Sequence, residues 1–207
     1  MFAVILPLPL LLLPLISDPV QQPNCAVEPI APTAIEAPIQ DGFNQRIGAY
    51  MQVHQDIEWS VMPHRLWADP EEMVDALESF QTAIREARAD ARQGTIFTAE
   101  VGALIRTRIE RRLAACNDTV EDVLAFINEE RLKDAPAPRM YEPFPWSLGS
   151  AMWPTLLPAL PSLPAEMQYR FADRDLVLID MHADLVVDIL TDALPAPGHA
   201  GHATHRR

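Results

Sequence analysis

Proline placement constrains this chain more than any other feature. A proline inside a helix removes a backbone donor and clashes with the preceding turn. The chain has 20 prolines in 207 residues, and they are unevenly spread. Three interrupt the N-terminal apolar run, five lie within residues 18–40 and eight within residues 136–164. Between residues 39 and 135 only Pro63 and Pro70 occur. That interval is where several helices can form.

Its periodicity supports four. Ile47, Tyr50, Met51, His54, Ile57 and Val61 fall at helical spacing, and Pro63 stops that helix. Asp69, Pro70 and Glu72 read as an N-cap, a first-turn proline and a capping-box partner. Met73, Leu77, Phe80, Ile84, Ala87 and Ala91 then make a stripe, with Gly94 as the expected C-cap. A third helix is predicted from Thr98 through Val101, Leu104, Ile105, Ile109 and Leu113. A fourth starts near Asp118, with Glu121 as capping partner and Val120, Val123, Leu124 and Ile127 as its face. Four amphipathic helices with short links predict a bundle over residues 41–134.

Residues 135–167 read as a proline- and aromatic-rich strap. Leu157, Leu160 and Leu163 recur every third residue, the period of polyproline II, which places them on one edge. Residues 168–194 carry the β-branched content of a hairpin or three-stranded meander, with turns near residues 172–175 and 181–184. A hairpin alone is marginal, so it should pack on the bundle. The expected class is mainly α with a small β element (α+β). Residues 18–40 read as an extended linker and residues 195–207 as a disordered tail.

Tyr169-Arg170-Phe171, the run Arg174 to Asp180 and Leu185-Val186-Val187-Asp188 resemble the ending of a group of exported bacterial proteins with no assigned activity. Phe144-Pro145-Trp146-Ser147 and Met152-Trp153-Pro154 are similar too. The likeness covers the last third of the chain. It implies export and supplies no mechanism.

The N-terminus points the same way. Residues 2–16 are uninterruptedly apolar, shorter than the roughly 20 residues of a membrane span, and broken by Pro7, Pro9 and Pro14. Residues 1–17 therefore read as a cleaved secretory signal, although no basic residue precedes the run. The alternatives are an uncleaved anchor, which would be the chain's sole link to a membrane, and a buried N-terminal segment. Cys25 and Cys116 can pair in an oxidising compartment, or Cys116 can be a free buried thiol.

The net charge is −13. Such a field repels nucleic acid and anionic membranes, which excludes a nucleic-acid role. Dinucleotide-binding, P-loop, zinc-protease and serine-hydrolase motifs are all missing, and no cofactor is implied.

Three constellations carry chemistry. Asp180, His182 and Asp184 alternate, so an extended backbone would put them on one side, where they can hold a metal or serve as a base. The competing reading makes them turn residues, since aspartate favours turns. His199, His202 and His205 form a chelating pattern in the tail. Tyr141, Phe144, Trp146, Trp153, Leu157, Leu160 and Leu163 form a set suited to a protein partner, or to docking on the chain's own helices. Arg85, Arg88 and Arg92 line one helical face and Arg106, Arg108, Arg111 and Arg112 crowd the next helix, which could suit an anion or acidic partner. Arg88, Arg92, Arg111 and Arg112 lie in last turns, where they are read as complements to the helix dipoles. His54 lies on an apolar stripe as a core histidine, and His64 has no evident partner.

The expected function is a non-enzymatic exported interaction or envelope-accessory protein with an unidentified protein partner, contacting it through the strap. The second reading is weak transition-metal binding through the tail histidines and the Asp180, His182 and Asp184 turn. The third is a hydrolase-like enzyme using that turn.

Overall fold

The computed structural model describes Cys25 and residues 30–63, 69–149 and 151–197. The apolar segment 1–17, His64 and the tail histidines His199, His202 and His205 lie outside the described residues. The class is α+β. Four α-helices, α1 (Ala37–Val61), α2 (Pro70–Ala87), α3 (Ala99–Cys116) and α4 (Val120–Ile127), precede β1 (Met167–Ala172), β2 (Asp175–Asp180) and β3 (Leu185–Leu190). Two 3-10 segments, Trp146–Leu148 and Pro154–Ala159, lie between α4 and β1. Among the described residues, no helix is long and apolar enough to cross a membrane.

The helix starts follow local chemistry. Asp69 accepts from the Glu71 N–H, Thr98 from Val101 and Thr119 from Asp122. These oxygens satisfy donors that a helix cannot satisfy internally. The sequence-based start of α4 is one residue early, and its capping partner is Asp122 rather than Glu121. In α2 the Asp69 side chain accepts from the Glu71 N–H at 2.9 Å. Gly94 does not cap α2, which ends at Ala87. It sits in the following loop at φ +86, a conformation that suits glycine.

The largest correction concerns α1, which begins inside the expected linker. Thr33 and Glu36 form a reciprocal capping pair: the Thr33 N–H donates to Glu36 Oε2 (3.0 Å), and the Glu36 N–H donates to Thr33 Oγ1 (3.3 Å). Pro38 then falls in the first turn, where its missing N–H costs nothing. Cys25 is disulfide-bonded to Cys116, so the segment before α1 is tied to the end of α3.

The sheet is an antiparallel meander in the order β1-β2-β3. Val187 is an extra residue on β3, because Leu178 pairs with Asp188 and Ile179 with Val186. Every residue of β3 is buried. One face, with Leu176, Leu178, Leu185 and Val187, joins the helix residues Phe43, Ile47, Phe80, Ile84, Ile105 and Ile109 in one core. The other face, with Val177, Ile179, Val186 and Ile189, is covered by Phe144 and Leu148. The sheet is therefore interior, which explains the continuous apolar runs of β2 and β3. At Gly102 on α3 an added Cβ would lie 2.7 Å from Leu190 Cδ1, so this glycine permits the close approach of helix and sheet.

The segment 141–163 does not present its leucines on one edge. Residues 154–159 form a 3-10 helix that holds Leu157 but ends before Leu160 and Leu163; Leu160 is buried, Leu163 partly so, and Leu157 is 48% exposed. Leu160→Ala is expected to cost about 2–5 kcal/mol. Leu157→Ala should stay within about 0.5 kcal/mol. Urea denaturation of the two variants checks this contrast.

Several of the arginines clamp segments together. Arg85 Nε donates to the Tyr141 carbonyl (2.8 Å), and Arg88 Nε to the Tyr141 hydroxyl (3.1 Å). Arg106 donates to the Thr191 and Asp192 carbonyls, Arg112 to the Thr155 carbonyl, and Arg108 pairs with Glu36.

Candidate metal centre

Tyr50, His54 and Glu58 follow one another at four-residue steps on α1, so one helix face carries all three. On β2, Leu176, Leu178 and Asp180 alternate toward the helices. The strand's last residue thereby brings a carboxylate to the α1 face. Asp180 is fully buried. Its Oδ2 accepts from the Tyr50 hydroxyl (2.6 Å) and from His54 Nδ1 (2.5 Å). Its Oδ1 accepts from the backbone N–H groups of His182 (3.0 Å) and Ala183 (2.9 Å). The last two bonds shape the β2–β3 turn, as the turn reading of Asp180 anticipates. Gln81 Nε2 on α2 fixes the same turn by donating to the Ala183 carbonyl (2.9 Å).

This turn sets His182 beside α1. Its Nδ1 lies 2.9 Å from Glu58 Oε1, and its ring centroid lies 5.7 Å from that of His54. His54 Nε2 lies 3.3 Å from Glu58 Oε2, yet it is buried and outside hydrogen-bonding geometry with any partner. Phe80 closes the remaining side, edge-on to the His54 ring at 5.1 Å. One nitrogen each from His54 and His182 and one oxygen from Glu58 all lie within 4.8 Å of one another.

The electrostatics of the cluster are coupled. Burial alone would push His54 down, but the hydrogen bond to Asp180 and the charges of Asp180 and Glu58 outweigh it and hold the imidazole above its ordinary range. Burial would raise Asp180, and the donors His54, Tyr50 and Ala183 reverse that and hold it below the usual carboxylate range. Tyr50 is pushed up by burial and by the adjacent Asp180 charge, so it stays a hydroxyl donor. Two carboxylates thus surround one buried imidazole.

Other sequence-selected residues go elsewhere. Asp184 turns away and accepts from Trp146 Nε1 (3.1 Å). Burial raises its carboxyl above the usual range. Phe144 is buried, Tyr141 is half-buried at φ +56, and its N–H donates to the Val186 carbonyl (2.7 Å). Trp153 is half-buried, donates to Asp118 (2.8 Å) and stacks edge-on with Phe126. Of the partner-binding set, Trp146 at 42% and Leu157 are the exposed members.

Glu58 is the residue that sequence reasoning misses. The available signal is its four-residue spacing from His54, which puts both on one helix face.

The donor set is two imidazoles and one carboxylate. Ligands of a tetrahedral ion with bonds near 2.0 Å sit about 3.3 Å apart. His182 Nδ1 and His54 Nε2 lie 2.9 and 3.3 Å from the two Glu58 oxygens, and His182 is half-exposed and Glu58 partly so. A buried histidine that gives its Nδ1 proton to a carboxylate keeps its Nε2 for a metal, the arrangement in which outer carboxylates orient ligating histidines. No protein-family model matches this chain, and neither a curated protein nor a solved structure is significantly similar to it.

Proposed function

We propose that this is an exported protein that binds a divalent transition metal ion, zinc or a close relative, through His54, Glu58 and His182. One observation carries the reading. The buried His54 ring is anchored at Nδ1 by Asp180, while its Nε2 lies 3.3 Å from Glu58 Oε2, outside hydrogen-bonding geometry, with His182 beside them. Two nitrogen donors and one oxygen donor, with no thiolate, suit zinc, nickel, cobalt or copper(II) more than calcium or copper(I). Before it ligates, a protonated His54 must release a proton, so binding is linked to proton release.

Export is supported by the short proline-broken apolar run, by the resemblance of the last third to exported proteins, and by the bond between Cys25 and Cys116. The four helices, as a bundle spanned by residues 135–167, serve as the scaffold in this reading. The interaction reading has less to stand on, because Phe144 and Leu160 are core residues and Trp146 already donates to Asp184.

Zinc calorimetry on the chain, on a chain ending at Pro195 and on His182→Ala tests the proposal. The shortened chain should keep the affinity of the full one, and His182→Ala should lose at least about tenfold. His182 is exposed, so that variant should fold. Loss of binding on removing the tail, with His182→Ala unaffected, would move the site to the tail histidines and sink the proposal.

A further inference from the structure

We infer that the ion at His54, Glu58 and His182 keeps part of its coordination sphere for a small anion from solution, so that the site takes metal and anion together. This rests on the metal-binding reading above. The described residues bring three donors together, and a structural ion is normally enclosed by four.

Among the described residues, the polar groups nearest the cluster are already engaged. Both oxygens of Asp180 are committed, one to Tyr50 and His54, the other to the His182 and Ala183 amides. The Tyr50 hydroxyl is spent on Asp180, and Gln81 on the Ala183 carbonyl. Phe80 walls the His54 side with carbon. Among the described residues the inner wall is thus taken up, and the exposed members of the cluster are His182, half-exposed, and Glu58, about one-third exposed.

Charge selects the class of ligand. A divalent ion bound by two neutral imidazoles and one carboxylate retains one positive charge. The next carboxylate, Asp180, lies behind the His54 ring rather than on the ion. A small anion, such as a carboxylate with its hard oxygen donor, completes both the charge and the coordination number.

Cobalt(II) provides the probe, because its visible bands report coordination number and ligand type. With the full chain, cobalt should give bands that are lost in His182→Ala. Adding azide, and separately acetate, should shift those bands saturably. By linkage, saturating azide should tighten cobalt binding by roughly tenfold. If cobalt binds through His182 but neither anion moves its bands or affinity, the chain fills its own coordination sphere. The inference then falls while the metal reading stands. If the full chain shows no cobalt bands, both fall.

Discussion

Asp180→Ala should lower the stability of the metal-free protein by about 3–5 kcal/mol, the range for removing one partner of a buried ion pair. Against a total of about 5–15 kcal/mol, that is a large share. The substitution strips four donors at once: the Tyr50 hydroxyl, His54 Nδ1 and the amides of His182 and Ala183. It also detaches α1 from the turn that carries His182.

The loss should depend on pH with a defined sign. His54 has a raised folded pKa, so its contribution is complete below its ordinary value near 6.5 and is lost as pH rises through the raised value. Asp180 has a lowered one, so its contribution is present above about 3.8 and is lost as pH falls through the lowered value. Tyr50, raised, adds a further loss above about pH 10. The charged groups facing His54 are Asp180 from β2 and Glu58 from α1, with the His182 ring of the turn beside it, while Arg88, just after α2, sits over Tyr50. Urea denaturation in chelator should show the wild type more stable near about pH 5 than near about pH 9, and Asp180→Asn should flatten that difference. An unchanged pH profile in Asp180→Asn would show that the pair does not carry it. Because Asp180 orients His54, the same variant should lose about 10–100-fold in zinc affinity.

Much of the scaffold is legible in the sequence because its signals are local. Asp69 and Thr98 announce helices through side chains within three residues, and the Met181–Asp184 turn follows from aspartate chemistry. The start of α1 is equally local, in Thr33 and Glu36, but the surrounding prolines mask it, since Pro38 in a first turn looks like a break. The site is different in kind. His54 and Asp180 are 126 residues apart, and their contact follows from how β2 docks on α1. Periodicity shows His54 on a buried stripe and cannot show what lies opposite. The alternation Asp180, His182 and Asp184 assumes a straight strand, whereas the chain turns after Asp180 and sends Asp184 to Trp146. The regular spacing of Leu157, Leu160 and Leu163 misleads similarly, because the backbone changes from 3-10 helix to extended at Leu160, so no single period spans the three.

Asp188→Ala should be as costly as Asp180→Ala, at about 3 kcal/mol or more, without touching the metal donors. Asp188 is fully buried on β3. Its Oδ1 accepts from the amides of Gly94 (2.8 Å) and Ile189 (2.8 Å), and its Oδ2 from Ile96 (2.7 Å) and Phe97 (2.8 Å). Three of these donors belong to the loop between α2 and α3, which has no regular pairing of its own. Each buried donor left unsatisfied costs about 1–3 kcal/mol. Asp188→Asn should recover only part of the loss, because its amide group points further donors at donors. Asp192→Asn is the control: it removes an exposed ion pair with Arg174, keeps a residue suited to its φ of +50, and should cost no more than about 1 kcal/mol. Urea denaturation gives the three values, and hydrogen exchange at Ile96 and Phe97 should show lost protection in Asp188→Ala. Protection kept at both amides would mean that the loop finds other acceptors. The two buried aspartates then separate by zinc calorimetry at low temperature, where both variants retain a folded fraction. Folded Asp188→Ala should bind zinc like the wild type and Asp180→Ala should not, because one carboxylate holds a loop and the other aims a ligand.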